Sequence, residues 1–90
     1  DKTCRRQLIG RRYRVLMQLG DQIGDFATIS TNTIEGRATA MKPFAGWIGE
    51  RWFLLPNPTY GSWAPALFNN DYQQPAEARR RAMIEVLRTR

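Results

Sequence analysis

The order helix, strand, loop, helix, strand, loop, helix predicts an α/β chain, half of a doubly wound parallel sheet. Three observations carry that prediction. A largely apolar run from Tyr13 to Leu19 ends at Gly20, as a buried parallel strand ends at the carboxyl edge of its sheet. A second β-type run, Trp52 to Leu55, is stopped by Pro56. Segments with helical patterning precede, separate and follow the two runs.

Lys2 to Arg12 reads as a short helix in which Leu8 and Ile9 supply apolar surface among basic residues. Tyr13 to Leu19 is the first strand, and Gly20 to Phe26 an acidic loop with room for one helical turn. Thr31-Asn32-Thr33 has the residue types that cap a helix start. The helix runs to about Trp47 or Gly49, with a break at Lys42-Pro43, because the residue before a proline is pushed out of the helical region. Trp52 to Leu55 is the second strand. Asn57 to Trp63 is a turn rich in loop formers that still carries two large aromatics, Tyr60 and Trp63. Ala64 to Phe68 forms a short helical segment, and Pro75 to Arg90 a final helix. In that helix Pro75 suits the first turn, and Ala78, Ala82, Met83, Val86 and Leu87 make one docking stripe. Trp47, Trp52, Phe53 and Phe44 are expected in a core or an interface. Cys4 is expected buried or half-buried, with no chemistry of its own.

Ninety residues make one segment, 1–90, with no internal repeat. Two strands cannot cover both faces of a parallel sheet, so the remaining strands are expected from another chain or from an N-terminal part. The segment by itself is expected to be marginally stable.

The net charge of +6 comes mostly from arginine. A basic balance is compatible with nucleic acid. Here the arginines fall mainly in helical segments, where they read as solvated faces, and no nucleic acid is expected. One cysteine excludes an intramolecular disulfide and a cysteine-rich zinc site. The absence of histidine removes His-type zinc sites, Ser-His-Asp hydrolysis and Cys-His nucleophiles. No apolar run approaches the roughly 20 residues needed to cross a bilayer.

What chemistry remains centres on Asp21 and Asp25, four residues apart in the loop after the first strand. Two such carboxylates repel unless a cation, a lysine or hydrogen-bond donors sit between them. Hard oxygens of this kind suit Mg²⁺, which takes one or two protein carboxylates and fills its shell with water and phosphate oxygens. An aspartate capping the turn after a strand explains the same pattern equally well. Lys2, near the start of the helix that feeds the strand, can reach the same sheet edge. A lysine, two carboxylates and a cation are what phosphoryl transfer needs. Taken by itself Lys2 reads as an ordinary solvated lysine, and Tyr60 and Trp63 read as aromatics that plug a sheet edge.

At Lys2, at Gly20-Asp21-x-x-x-Asp25-Phe26 and at Arg51-Trp52-Phe53-Leu54-Leu55-Pro56-Asn57-Pro58-Thr59-Tyr60-Gly61-Ser62-Trp63, the sequence resembles the C-terminal part of the haloacid dehalogenase superfamily. More narrowly it resembles the class C, lipoprotein-type acid phosphatases and 5′-nucleotidases. The resemblance covers nearly the whole chain. It implies the C-terminal portion of a haloacid-dehalogenase-like doubly wound parallel sheet, with two strands and about three to four helices in this chain.

The resemblance also assigns roles. Asp21 would be a direct Mg²⁺ ligand, and Asp25 would hold the metal's waters or steady the lysine, so that the pair keeps the cation. Lys2 would contact the phosphate and a nucleophilic aspartate. Tyr60 would stack on the base or other aromatic leaving group, and Asn57 would shape the loop or contact substrate. Such enzymes carry an Asp-x-Asp pair on their first strand, and none occurs in these ninety residues. The expectation is therefore a segment whose N-terminal half, with the nucleophile, lies outside this chain, and which alone is inactive. Its implied partners are a small-molecule phosphomonoester, such as a nucleoside 5′-monophosphate, and that missing half; homodimerisation is open. The implied setting is a bacterial periplasm or outer membrane. Two alternatives stand beside this reading, a non-catalytic basic binding module and a degenerate phosphatase copy.

Overall fold

The computed structural model describes residues 2–87. Helix α1 spans Lys2–Gly10, strand β1 Gln18–Gly20, helix α2 Ile34–Met41, strand β2 Trp52–Leu54, helix α3 Trp63–Ala66 and helix α4 Ala76–Val86. Two stretches of tighter 3₁₀ helix lie between them, at Ile23–Asp25 and Lys42–Trp47. The fold is the mixed α/β one that the element order predicts.

The two strands pair in parallel, Gln18 opposite Trp52, Leu19 opposite Phe53 and Gly20 opposite Leu54. The Gln18 N–H donates to the Arg51 carbonyl and the Leu55 N–H to the Gly20 carbonyl, both at 2.8 Å. Because parallel strands end on the same side, the chain leaves Gly20 and Leu54 at one edge, the edge where open α/β folds gather ligands. The acidic loop and the loop after Pro56 therefore start side by side.

Local chemistry sets the helix boundaries. The Thr33 hydroxyl accepts from the Gly36 N–H at 3.0 Å and caps α2. Pro43 has no N–H to continue the α ladder, and from Lys42 the backbone tightens into the 3₁₀ stretch. The core sits around Trp52, buried with Phe26 and Ala27 and covered by Met41 and Phe44. Ring centroids lie 5.3 Å from Trp52 for Phe26, 4.6 Å for Phe44 and 5.2 Å, edge-on, for Trp47. Ala66 and Phe68 are also buried. Trp52 and Phe44 thus lie where expected, while Trp47 packs by one edge and stays exposed, with the Arg51 guanidinium 5.4 Å from its ring.

Several boundaries differ from the sequence reading. The first strand begins at Gln18, not Tyr13, and Leu16 is 74% exposed. An apolar run of this type signals a strand covered on both faces; among the described residues only β2 pairs with it. Helix α1 ends at Gly10, with Arg11 to Tyr13 completing a turn on the Gln7 and Ile9 carbonyls. Cys4 is exposed rather than buried, since no residue of α1 is buried. Helix α3 starts one residue early, at Trp63. Pro75 is the residue ahead of α4 rather than within it. On α4, Ala78, Ala82 and Met83 are half-buried, but Val86 and Leu87 are exposed. The expected extension of that helix to Arg90 falls on residues 88–90, outside the described ones. The radius of gyration is 15.2 Å, against about 12 Å for a closed domain of this length.

Candidate active site

The acidic loop folds back on itself through Asp25. Its Oδ2 accepts from the backbone N–H groups of Asp21 and Gln22, both at 3.1 Å. Its Oδ1 accepts from the Lys2 ammonium at 2.5 Å. This return brings Asp25 against Gly20: a Cβ at position 20 would lie 2.5 Å from Asp25 Cβ and 2.7 Å from its Oδ2. Only glycine leaves room for the carboxylate, which explains the residue at the head of the motif.

Helix α1 grips the same loop from the other side. Arg6, one turn after Lys2, donates through Nη1 to the carbonyls of Gly24 and Asp25, at 3.0 and 2.8 Å. Its Nη2 donates to Thr3 Oγ1 at 2.8 Å, and the Thr3 and Thr28 hydroxyls lie 2.7 Å apart. The Lys2 ammonium is held above its ordinary pKa by the hydrogen bond and charge of Asp25. The Asp25 carboxyl is held below the usual range by the Lys2 hydrogen bond, partly offset by burial and reinforced by the Gln22 and Asp21 N–H groups.

Asp21 stands differently. It is exposed, and its Oδ2 accepts from the Asn57 side-chain amide at 3.0 Å. The Asn57 carbonyl oxygen in turn accepts from the backbone N–H groups of Thr59 and Tyr60, at 3.1 and 3.3 Å. One side chain therefore joins the acidic loop to the Tyr60 loop. The loops meet again where a Cβ on Gly61 would lie 2.9 Å from Gln22 Oε1. Tyr60 is 72% exposed and does not plug the sheet edge, whereas Trp63 is half-buried.

All five residues singled out in the sequence thus lie on the loops and helix start that meet at one sheet edge. Lys2 and Asp25 are in direct contact, as are Asp21 and Asn57, and Tyr60 is joined to them through its backbone. Among the described residues no cluster of three or more His, Cys, Asp or Glu side chains forms a complete metal cage. Among the described residues Asp21 has one carboxylate oxygen, Oδ2, in a hydrogen bond and the other without a partner, a fit to a hard cation that takes one or two protein carboxylates. Both oxygens of Asp25 are already engaged, which suits it to steadying Lys2 and the loop.

The sequence reading did not single out Arg6 or Arg37. Arg6 had a signal, its i, i+4 spacing from Lys2, which places both on one helix face. Arg37, 9% exposed, had none. Its guanidinium donates to Asn32 Oδ1 and Ser62 Oγ, both at 3.0 Å.

Over residues 1–63 the chain matches the family model described as HAD superfamily, subfamily IIIB (Acid phosphatase). Two solved structures of the class C acid phosphatase from Bacillus anthracis are similar to it, with TM-scores of 0.75 and, for the form with tungstate bound, 0.77. Each is 24% identical, and each match covers 98% of this chain and 37% of the other. The chain thus spans little more than a third of the length of those structures, and at this identity the likeness establishes the fold. No curated protein matches the chain at a significant level.

Proposed function

Because the chain belongs to the subfamily IIIB acid phosphatases of the HAD superfamily, we propose that residues 1–90 are the C-terminal segment of a Mg²⁺-dependent phosphomonoesterase. Its substrates are nucleoside 5′-monophosphates and small aryl phosphates. No Asp-x-Asp pair occurs in these ninety residues, and the nucleophilic aspartate is assigned to the part of the protein outside them. That carboxylate attacks phosphorus, the ester oxygen leaves with a proton, and water then releases inorganic phosphate from the aspartyl-phosphate.

Each residue at the sheet edge has a part in this. Lys2 neutralises charge on the phosphoryl oxygens. Asp25 keeps the ammonium charged and aimed, and ties it to the acidic loop. Asp21 is the ligand this segment offers to Mg²⁺, and Asn57 fixes the orientation of that carboxylate. A cation held at Asp21 would supply charge neutralisation at the phosphoryl oxygens. Tyr60, exposed beside Asp21, offers its ring to the base or other aromatic leaving group, a stacking interaction of about 1–3 kcal/mol. A bacterial periplasmic or outer-membrane setting completes the proposal.

The observation that carries it is the hydrogen-bonded path from Lys2 through Asp25 and Asp21 to Asn57 and the backbone of Tyr60. It is tested with the longest natural form of the protein, on a nucleoside 5′-monophosphate, with Mg²⁺ and with excess chelator. Phosphate release that needs the metal, disappears in Asp21→Asn and is absent from the ninety-residue piece is the expected result. No release under any metal sinks the proposal.

A further inference from the structure

We propose that Arg37 is a positioning residue that sets the preference for aromatic leaving groups by holding the Tyr60 loop, without touching substrate. The inference rests on the phosphatase reading above. A guanidinium drawn out of water is costly unless acceptors meet it. Those that meet Arg37 are neutral: among the described residues the ion pairs are Lys2–Asp25 and Arg80–Glu77, and neither involves it. Burial lowers its pKa, with no carboxylate to oppose the shift.

The acceptors belong to a network with one evident target. Ser62 lies two residues beyond Tyr60. Asn32, which accepts from Arg37, donates through Nδ2 to the Ser62 carbonyl at 2.9 Å and to Asn70 Oδ1 at 2.8 Å. Asn70 returns a bond from its own amide to the Asn32 carbonyl at 2.6 Å. Asn69 and Asn70 have φ of 54° and 60°, the left-handed region that asparagine tolerates better than most residues. The end of the Tyr60 loop is thus pinned to α2 and to the turn after α3, while Asn57 pins its start to Asp21. The Tyr60 ring stacks on no other ring among the described residues, and it is largely exposed. Its position relative to Lys2 and Asp21 is therefore set by these two anchors of the backbone.

The test uses the full-length protein as wild type, Arg37→Met, Arg37→Lys and Ser62→Ala, the last an exposed site that spares the fold if the arginine variants do not. KM and kcat are measured for a nucleoside 5′-monophosphate and for a small aliphatic phosphomonoester. Loss of part of the stacking energy should raise the nucleotide KM about tenfold in Arg37→Met and somewhat less in Ser62→Ala. For both variants kcat should stay within about threefold, and the aliphatic KM within about twofold. Arg37→Lys, with a single flexible ammonium, should recover part of the loss. Equal losses on the two esters, or a loss confined to kcat, overturn the inference. If wild type hydrolyses neither ester, it is the phosphatase reading that falls. Hydrogen exchange then decides the positioning role: the Thr59 and Tyr60 amides should exchange about tenfold faster in Ser62→Ala, with Leu55 unchanged. Unaltered exchange at Thr59 and Tyr60 overturns it.

Discussion

Asn57 donates its side-chain amide to the Asp21 carboxylate at 3.0 Å, closing the gap between two loops that begin at neighbouring strand ends. The same side chain accepts from the backbone at Tyr60, so the carboxylate and the start of the Tyr60 loop are held by one residue. If Asp21 holds Mg²⁺ as proposed, Asn57→Ala should weaken Mg²⁺ activation about 10- to 100-fold, the usual cost of removing a group that orients a metal ligand. Asn57→Asp should be worse, because it faces Asp21 with a second negative charge. Titrating activity against Mg²⁺ in the full-length protein checks both, and unchanged half-saturation would remove Asn57 from the site.

Gly20→Ala should be disproportionately damaging for a single added methyl group. Its Cβ would fall on Asp25, and relief requires the carboxylate to leave the Asp21 and Gln22 N–H groups. Overpacking of this kind costs about 1–3 kcal/mol. Urea unfolding of the full-length protein should show that loss, and activity should fall with it. A variant as stable and as active as wild type would mean that the loop has another arrangement.

The Lys2–Asp25 pair predicts a pH profile. The folded pKa of Asp25 lies below its ordinary value of 3.8, so its contribution to stability is complete above that pH and is lost as pH falls through the folded value. The folded pKa of Lys2 lies above 10.5, so its contribution is complete below 10.5 and is lost as pH rises through the folded value. The pair therefore stays charged through acidic and neutral conditions. The stability gap between wild type and Asp25→Asn should be flat across that range and close only in stronger acid. Denaturation curves for the two proteins measured down the acid range test this; a gap that closes well above pH 3.8 would contradict it.

Trp52→Ala should cost about 3–5 kcal/mol, as for other buried tryptophans, because Phe26, Phe44 and Trp47 all pack against it. Trp52→Phe should recover much of that. Thermal unfolding of the full-length variants gives the comparison, and a loss below about 1 kcal/mol would place the real core elsewhere.

The parts of this fold that could be read from the sequence are those decided locally. The turn-forming run before Ile34, the break at Pro43 and the stop at Pro56 each act within a few residues of themselves, and the structure has them in place. That Lys2 starts at the sheet edge of the acidic loop was legible because a helix feeding a strand has few places to start, whereas its contact with Asp25 was implied by the family resemblance alone. What could not be read depends on contacts between distant segments. Arg37 looks like any solvated arginine on a helix until Asn32 and Ser62 are brought to it. The reach of the first strand was overread for a related reason: Val15, Leu16 and Met17 carry the composition of a covered strand, and the cover is not among the described residues.

The two-stranded sheet has a consequence for handling the chain. Among the described residues each strand pairs on one side only, and Leu16, Leu19 and Leu54 lie exposed close to those strands. Open strand edges beside bare apolar side chains are templates for another copy. A preparation of this segment alone should therefore grow by edge-to-edge addition as it is concentrated, and a soluble partner that supplies the neighbouring strand would act as its chaperone.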